Sequence, residues 1–260
     1  MEKQKVIFSD LQTMGYQEAW GLQEKLLQKN VSIKSEVRRQ ETEEGVLASD
    51  FRLPTTNYLL FVEHPAVYTL GKSGHIENVL LNNEQLDAKH IQFFHTNRGG
   101  DITFHGAGQI VGYPIIDLEN FYTDIGRYLR ELEEVIILTL AEYGIKGERS
   151  AGETGVWIDP VVKGKERKIC AMGVRCSRWI TMHGFALNVN TDLSYFNFIV
   201  PCGIQNKQVT SLEKELGRKV DIEETKEKLR KNFEKVFNCE MIAGDPQLNN
   251  LAEEFKNLSV

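Results

Sequence analysis

At 260 residues and 29.7 kDa the chain is long enough to bury a large core, as one large domain or two small ones. A hydrophobic fraction of 41% and a charged fraction of 26% are ordinary for a soluble globular protein, and the net charge of −6 excludes a global basic field for nucleic acid. No apolar run is long enough for a membrane span, and the start MEKQKVIFSDL carries acidic residues early and lacks the apolar core of a signal peptide. The cysteines, Cys170, Cys176, Cys202 and Cys239, form neither a CxxC pair nor a zinc-site spacing. They predict reduced thiols in a cytoplasmic compartment, with no metal.

VIFSDL (6–11) reads as a first strand, and YQEAWGLQEKLLQK (16–29) has the apolar spacing of a helix. Two basic stretches, KSEVRR (34–39) and KGKERK (163–168), read as solvated turns. NYLLFVEHP and AVYTLG are β-like runs on either side of Pro65. NNEQLDAKH predicts a short helix started by an asparagine cap, and IQFFHTN predicts a strand. The glycine-rich block RGGDITFHGAGQ follows, flanked by strand runs. DIGRYLRELEEVIILTLAEYG is the clearest helix: Asp124 can cap it, Gly144 can close it, and Tyr128, Leu132, Val135 and Ile136 share one stripe. GVWI is a short strand, and ERKICAMGVRCSRWITMHGFALNVN alternates as two paired strands. SLEKELG and DIEETKEKLRKNFEKVF are helical. No linker, repeat or low-complexity tract interrupts the chain. The expectation is one α/β (α+β) domain over 1–260, with a mixed sheet, helices packed on it, and a helical C-terminal portion from about residue 221.

In IVPCGI, Cys202 stands between a proline that fixes φ and a glycine that frees it, on a shaped segment and not inside a regular element. Packing, metal ligation and nucleophilic attack are the three uses open to that thiol. The glycines Gly99, Gly100, Gly106 and Gly108 fit two readings equally: backbone laid against a substrate, or a tight bulged hairpin. Neither this block nor GKSG at Gly71 matches a P-loop or a GxGxxG opening, so the motifs give no support for a nucleotide site. His105 and His183 each stand beside a glycine; a lone histidine is most often structural, and the alternative is positioning a substrate. Lys168 opens the alternating strand ICAMGV, where a lysine ordinarily sits at the solvated end. A partner changes that reading: an ammonium close to a thiol favours the thiolate, and such a pair shares a proton as one unit.

Taken in order, RGGDITFHGAGQ, GVWI, RKICAMGV, HGFALNVNTDLSYF and IVPCGI resemble the octanoyltransferases of lipoate biosynthesis, from about Asn57 to Leu212. One departure is Ala107, where that family usually has proline. The resemblance implies the fold of biotin and lipoate protein ligases, two mixed sheets flanked by helices. It implies an enzyme, an octanoyl-[acyl carrier protein]:protein N-octanoyltransferase without cofactor. Octanoyl-acyl carrier protein would be the donor, and the lipoyl domains of 2-oxo acid dehydrogenases and the glycine cleavage H protein the acceptors. Neither nucleic acid nor membrane would be a partner. It assigns the acyl thioester to Cys202 and the paired base to Lys168. Substrate contact is assigned to Arg98, Gly99, Gly100, Asp101, Ile102, Thr103, Phe104 and His105, to Ala171, Met172 and Gly173, and to Gly184, Phe185 and Ala186.

The chemistry agrees with the resemblance. A thioester is already activated, so a second thiol exchanges with it without ATP. The demands are a thiolate and a stabilised oxyanion. Burying the octanoyl tail is worth up to about 5 kcal/mol, at roughly 0.8 per methylene, and calls for an apolar tunnel. Acidic protein partners would call for a local basic rim, drawn from Lys163, Lys165, Arg167, Arg175 or Arg178. The rivals are an ATP-dependent lipoate or biotin protein ligase, octanoyl exchange between carrier proteins, a non-catalytic acyl-binding module, and a thioester hydrolase.

Overall fold

A computed structural model describes residues 3–44, 54–200 and 208–257, with side chains in the first stretch described as far as 39. Cys202 and its neighbours 201–207 therefore lie outside the described residues.

Continuous apolar runs in the middle of the chain become strands buried on both faces. β2 (Asn57–Glu63) and β6 (Gln109–Ile115) are such strands and pair near the centre of the large sheet, with the less buried β1 (Gln4–Thr13) on the other side of β2. Its order is β12 (Cys239–Ala243), β1, β2, β6, β10 (Ile180–Asn188), β9 (Arg167–Ser177), β8 (Glu153–Ile158), β7 (Glu148–Ser150), with the short β11 (Gln208–Val209) also on β9. β1 runs parallel to both β12 and β2, and β11 parallel to β9; the remaining pairs are antiparallel, so the sheet is mixed. A second sheet has β3 (Val67–Leu70) between β4 (Gln92–His95), parallel to it, and β5 (Ile102–His105), antiparallel.

Alternation along β2 divides the core. Leu59 and Phe61 face α3 (Ile125–Ala141) and α5 (Ile222–Phe237). Tyr58, Leu60 and Val62 face α1 (Tyr16–Glu44) and α6 (Pro246–Asn257). A third core lies under the small sheet, where Tyr68, Ile102, Phe104 and Ile199 meet Leu86 of α2 (Asn83–Ala88). The asparagine cap is in place: Asn82 accepts from Gln85 N and Gln85 returns the bond, a capping box. Asp124 caps α3 through Arg127 N, as its position in the sequence predicts. The β9–β10 pair closes through Arg178 and Trp179, both at positive φ, the geometry of a tight two-residue hairpin.

Two expectations change, and one of two open readings is removed. The stretch 34–39, expected as a solvated turn, continues α1, and Lys34 is 1% exposed. Its Nζ meets Asp117 Oδ1 at 2.8 Å, Glu119 Oε2 at 3.0 Å and the Arg178 carbonyl at 2.9 Å. The glycines of HGAGQ do not make a hairpin: β5 pairs in the small sheet and β6 in the large one, so Gly106–Gly108 is the corner where the chain changes sheets. The portion from about residue 221, expected as helical, contains β12 between α5 and α6, and that strand extends the large sheet beside β1. No helix among the described residues is long and apolar enough to cross a membrane.

Candidate active site

Between β9 and β10 of the large sheet and the loop that leads into β5 lies a cavity of about 640 Å³, within the size range of small-molecule sites. Lys168 lines it, as do Arg98 to Thr103 and His105, Ala171, Met172 and Gly173 on β9, and Gly184, Phe185 and Ala186 on β10. Phe104 does not. Strand alternation turns it into the core below the small sheet, 2% exposed and stacked on Tyr195 at 4.6 Å, while Thr103 and His105 take the cavity side.

The loop RGGD is laid directly on β9. Gly99 N donates to Val174 O at 2.9 Å, and a Cβ on Gly173 would stand 2.5 Å from Gly99 O. The absence of side chains is what permits this contact. Arg98, 8% exposed, staples the loop to β3. Its NH2 donates to Thr69 O at 2.6 Å, Thr69 Oγ1 at 3.0 Å and Asp101 O at 2.8 Å, and its NH1 to Gly99 O at 3.1 Å. The GKSG stretch zips onto the same loop: the amides of Gly71, Lys72 and Ser73 donate to the carbonyls of Asp101, Arg98 and Gly100, and Gly74 N donates to Gly71 O.

Lys168 reaches the cavity through a β-bulge. β9 and β8 pair Cys170 with Val156 and then Lys168 with Trp157, so one residue of β9, Ile169, is extra. Ile169 and Cys170 both enter the core against α3, and Lys168 lines the cavity. Bulges re-aim side chains in this way and recur beside active sites. The Lys168 ammonium lies 4.6 Å from the centre of the Trp157 ring. Its stem passes Gly155, where a Cβ would come within 3.6 Å of Lys168 Cε. Across the strand, Val209 of β11 pairs with Lys168 and also lines the cavity. The chain leaves the described region at Val200, whose N donates to Asn78 O at 2.8 Å, and re-enters at Gln208, whose N donates to Glu166 O at 3.1 Å.

A polar cluster that the sequence reading did not select completes the lining: Tyr16, Gln109, Tyr113 and Asn188. His105 Nδ1 lies 2.8 Å from Gln109 Oε1, and Gln109 Nε2 donates to Asn188 Oδ1 at 2.8 Å. Asn188 Nδ2 donates to Thr210 O at 3.0 Å, and Thr210 N donates to Lys168 O at 2.9 Å. One series of bonds thus runs from the small sheet to the Lys168 peptide. The signal for Gln109 and Asn188 was present, since both stand in the glycine-bearing blocks; Tyr16, far upstream at the start of α1, had none. Burial pushes His64 down to about 4 and His183 down to about 3, and holds His105 well below the ordinary imidazole range. These rings are neutral hydrogen-bonding groups at neutral pH. Burial also pushes up the thiols of Cys170, Cys176 and Cys239, the last to about 12, so none of these sits where a thiolate is favoured.

The expected basic rim is smaller than the sequence suggested. Arg167 is held by both oxygens of Glu215 and by Asp159 at 2.6 Å, and Arg175 by Glu24 at 2.5 Å. Arg178 lies in the turn at the far end of β9 from Lys168. Lys163 and Lys165 remain, both exposed, and neither forms an ion pair among the described residues.

Residues 15–234 match the lipoyl protein ligase A/B catalytic domain. An octanoyltransferase of Christiangramia forsetii is 59% identical over 227 residues, 87% of this chain and 93% of that protein. An octanoyltransferase of Flavobacterium johnsoniae is 59% identical over 239 residues, 92% of this chain and 99% of that one. Among solved structures, a lipoate-protein ligase A bound with ATP superposes with a TM-score of 0.68 at 14% identity, covering 99% of this chain and 95% of that one. A bi-partite lipoate protein ligase from Thermoplasma acidophilum gives 0.66 at 16% identity, covering 99% and 93%. The structural likeness carries the fold, two mixed sheets flanked by helices, and the sequence identity carries the kinship: the chain belongs to the lipoyl protein ligase A/B catalytic-domain family, among its octanoyltransferases.

Proposed function

We propose that this octanoyltransferase takes its acyl group from octanoyl-acyl carrier protein, carries it as a thioester on Cys202, and passes it to a lysine of a lipoyl domain. The observation that carries the reading is Lys168, turned by a bulge into a glycine-walled cavity of about 640 Å³. In the first step the Cys202 thiolate attacks the thioester carbonyl of the donor. The tetrahedral oxyanion collapses, the carbon–sulfur bond to the carrier breaks, and the carrier thiolate takes the proton of the Lys168 ammonium, which leaves Lys168 neutral for the second step. In the second step the acceptor amine attacks the Cys202 thioester, Lys168 accepts the proton that the amine gives up, and the Cys202 thiolate leaves. One thioester is exchanged for another and then for an amide, with no nucleotide and no redox change. The apolar walls from Val111, Leu129, Met172, Val174 and Phe185 suit the octanoyl tail.

The ligase alternative needs a nucleotide site, and the glycine-rich stretch GKSG offers a phosphate no free amides. Its four amides, from Gly71 to Gly74, are already donated to carbonyls of the protein.

The same reading assigns carrier docking to the turn between β8 and β9. Val161 there is 89% exposed and is followed by the exposed Lys163 and Lys165, leading directly into Lys168. Lysines without an ion-pair partner among the described residues, on an otherwise acidic protein, suit an acidic carrier. Charge reversal at both positions, K163E with K165E, is expected to lower kcat/KM for octanoyl-acyl carrier protein about tenfold, and to change it less than about twofold for a small octanoyl thioester. Equal slowing of both donors in a steady-state assay would remove the docking role.

A further inference from the structure

Glu133, in the middle of α3, is 0% exposed, a burial that a carboxylate tolerates only with full compensation. Its Oε2 meets Arg130 NH1 at 2.8 Å and Arg149 Nε at 3.1 Å. Its Oε1 accepts from the backbone N–H of Gly155 at 3.0 Å. Gly155 and Trp157 are the two β8 residues that cradle Lys168, the first along its stem and the second under its ammonium. Gly155 holds a φ of +121, which favours glycine, and a Cβ there would meet Cys170 O at 2.6 Å. The peptide that supports Lys168 is thus an unusual one on a strand close to the sheet edge, where only β7 lies beyond β8. A single helix-borne carboxylate ties it down.

We infer that Glu133 is a positioning residue for the transfer reaction: by fixing the Gly155 amide it sets the height at which Lys168 enters the cavity. The inference rests on the reading of Lys168 given above. Glu133→Gln changes no volume. Its amide cannot accept from Gly155 and both arginines at once, because turning its one oxygen to either partner presents an NH2 to the other. Glu133→Asp keeps the charge beside the arginines and withdraws it from Gly155. Both variants displace Lys168 without touching substrate, and a displacement on the order of 1 Å is enough to cost a large factor in rate.

The test is steady-state octanoyl transfer with thermal melting, on Glu133→Gln, Glu133→Asp and Lys168→Ala in the full chain. Expected is a kcat at least about tenfold lower in whichever Glu133 variant melts cooperatively, with the KM for octanoyl-acyl carrier protein within about twofold. A folded Glu133 variant with wild-type kcat overturns the inference. So does loss that appears in KM alone. If Lys168→Ala keeps full activity, the reading of Lys168 has failed; if it is inactive and Glu133→Gln is normal, only the positioning role has. Amide hydrogen exchange on the wild type gives a readout independent of any variant: the Gly155 amide is expected to be protected, and free exchange there overturns the inference.

Discussion

Lys168→Ala is expected to lower octanoyl transfer by about a thousandfold, within the span attributed to a positioned acid–base group. The side chain is half-buried, makes no ion pair among the described residues, and supports no core cluster, so its removal leaves the fold in place. What it removes is the one lysine among the described residues that line the cavity. Lys168→Arg separates two roles that alanine removes together. A guanidinium keeps the positive charge that favours a neighbouring thiolate and does not accept a proton in the working range. The arginine variant is therefore expected to form the acyl-enzyme and to stall there, whereas the alanine variant is slow in both halves. Rapid-mixing mass spectrometry distinguishes the two. Fast turnover in either variant would remove Lys168 from the proton path.

Arg98→Ala is expected to destabilise the protein by about 3 kcal/mol and to raise the KM for the acyl donor. The guanidinium is buried and serves the carbonyls of Thr69, Gly99 and Asp101 together with the Thr69 hydroxyl. Truncation leaves buried acceptors unpaired, each worth about 1–3 kcal/mol before relaxation. The RGGD loop then loses its staple to β3 and keeps its backbone bonds to the GKSG stretch and to Val174 and the bond from Asn78 Nδ2 to Asp101 Oδ2. Arg98→Lys is expected to recover little, because an ammonium does not reproduce the planar fork that reaches several carbonyls at once. Urea denaturation measures the first effect and donor titration the second. A loss below about 1 kcal/mol would mean that the Arg98 guanidinium is not what holds the loop.

Much of this architecture was legible because local signals agreed with the tertiary answer. The β9–β10 hairpin announces itself by alternation, α2 by its asparagine cap, and α3 by its stripe and Asp124. The glycines at 99 and 100 left two readings open, backbone laid against a substrate or a bulged hairpin; in the structure one segment of the protein is laid on another there, Gly99 on β9, with the cavity alongside. Three features were hidden for physical reasons. The bulge at Ile169 lies in an apolar run, where an extra residue leaves no trace in the pattern. Phe104 belongs to a contiguous block that resembles a substrate-binding segment, and only strand alternation separates it from Thr103 and His105. The burial of Lys34 depends on Asp117, a partner far along the chain that helical periodicity cannot reveal.

Intact-protein mass after brief mixing with octanoyl-acyl carrier protein, with Cys202→Ala beside the wild type, tests the covalent reading most directly. Wild type is predicted to gain one octanoyl group and to lose it when apo lipoyl domain is added, while Cys202→Ala gains none. An adduct that survives in Cys202→Ala, or transfer at the wild-type rate without any adduct, would contradict it.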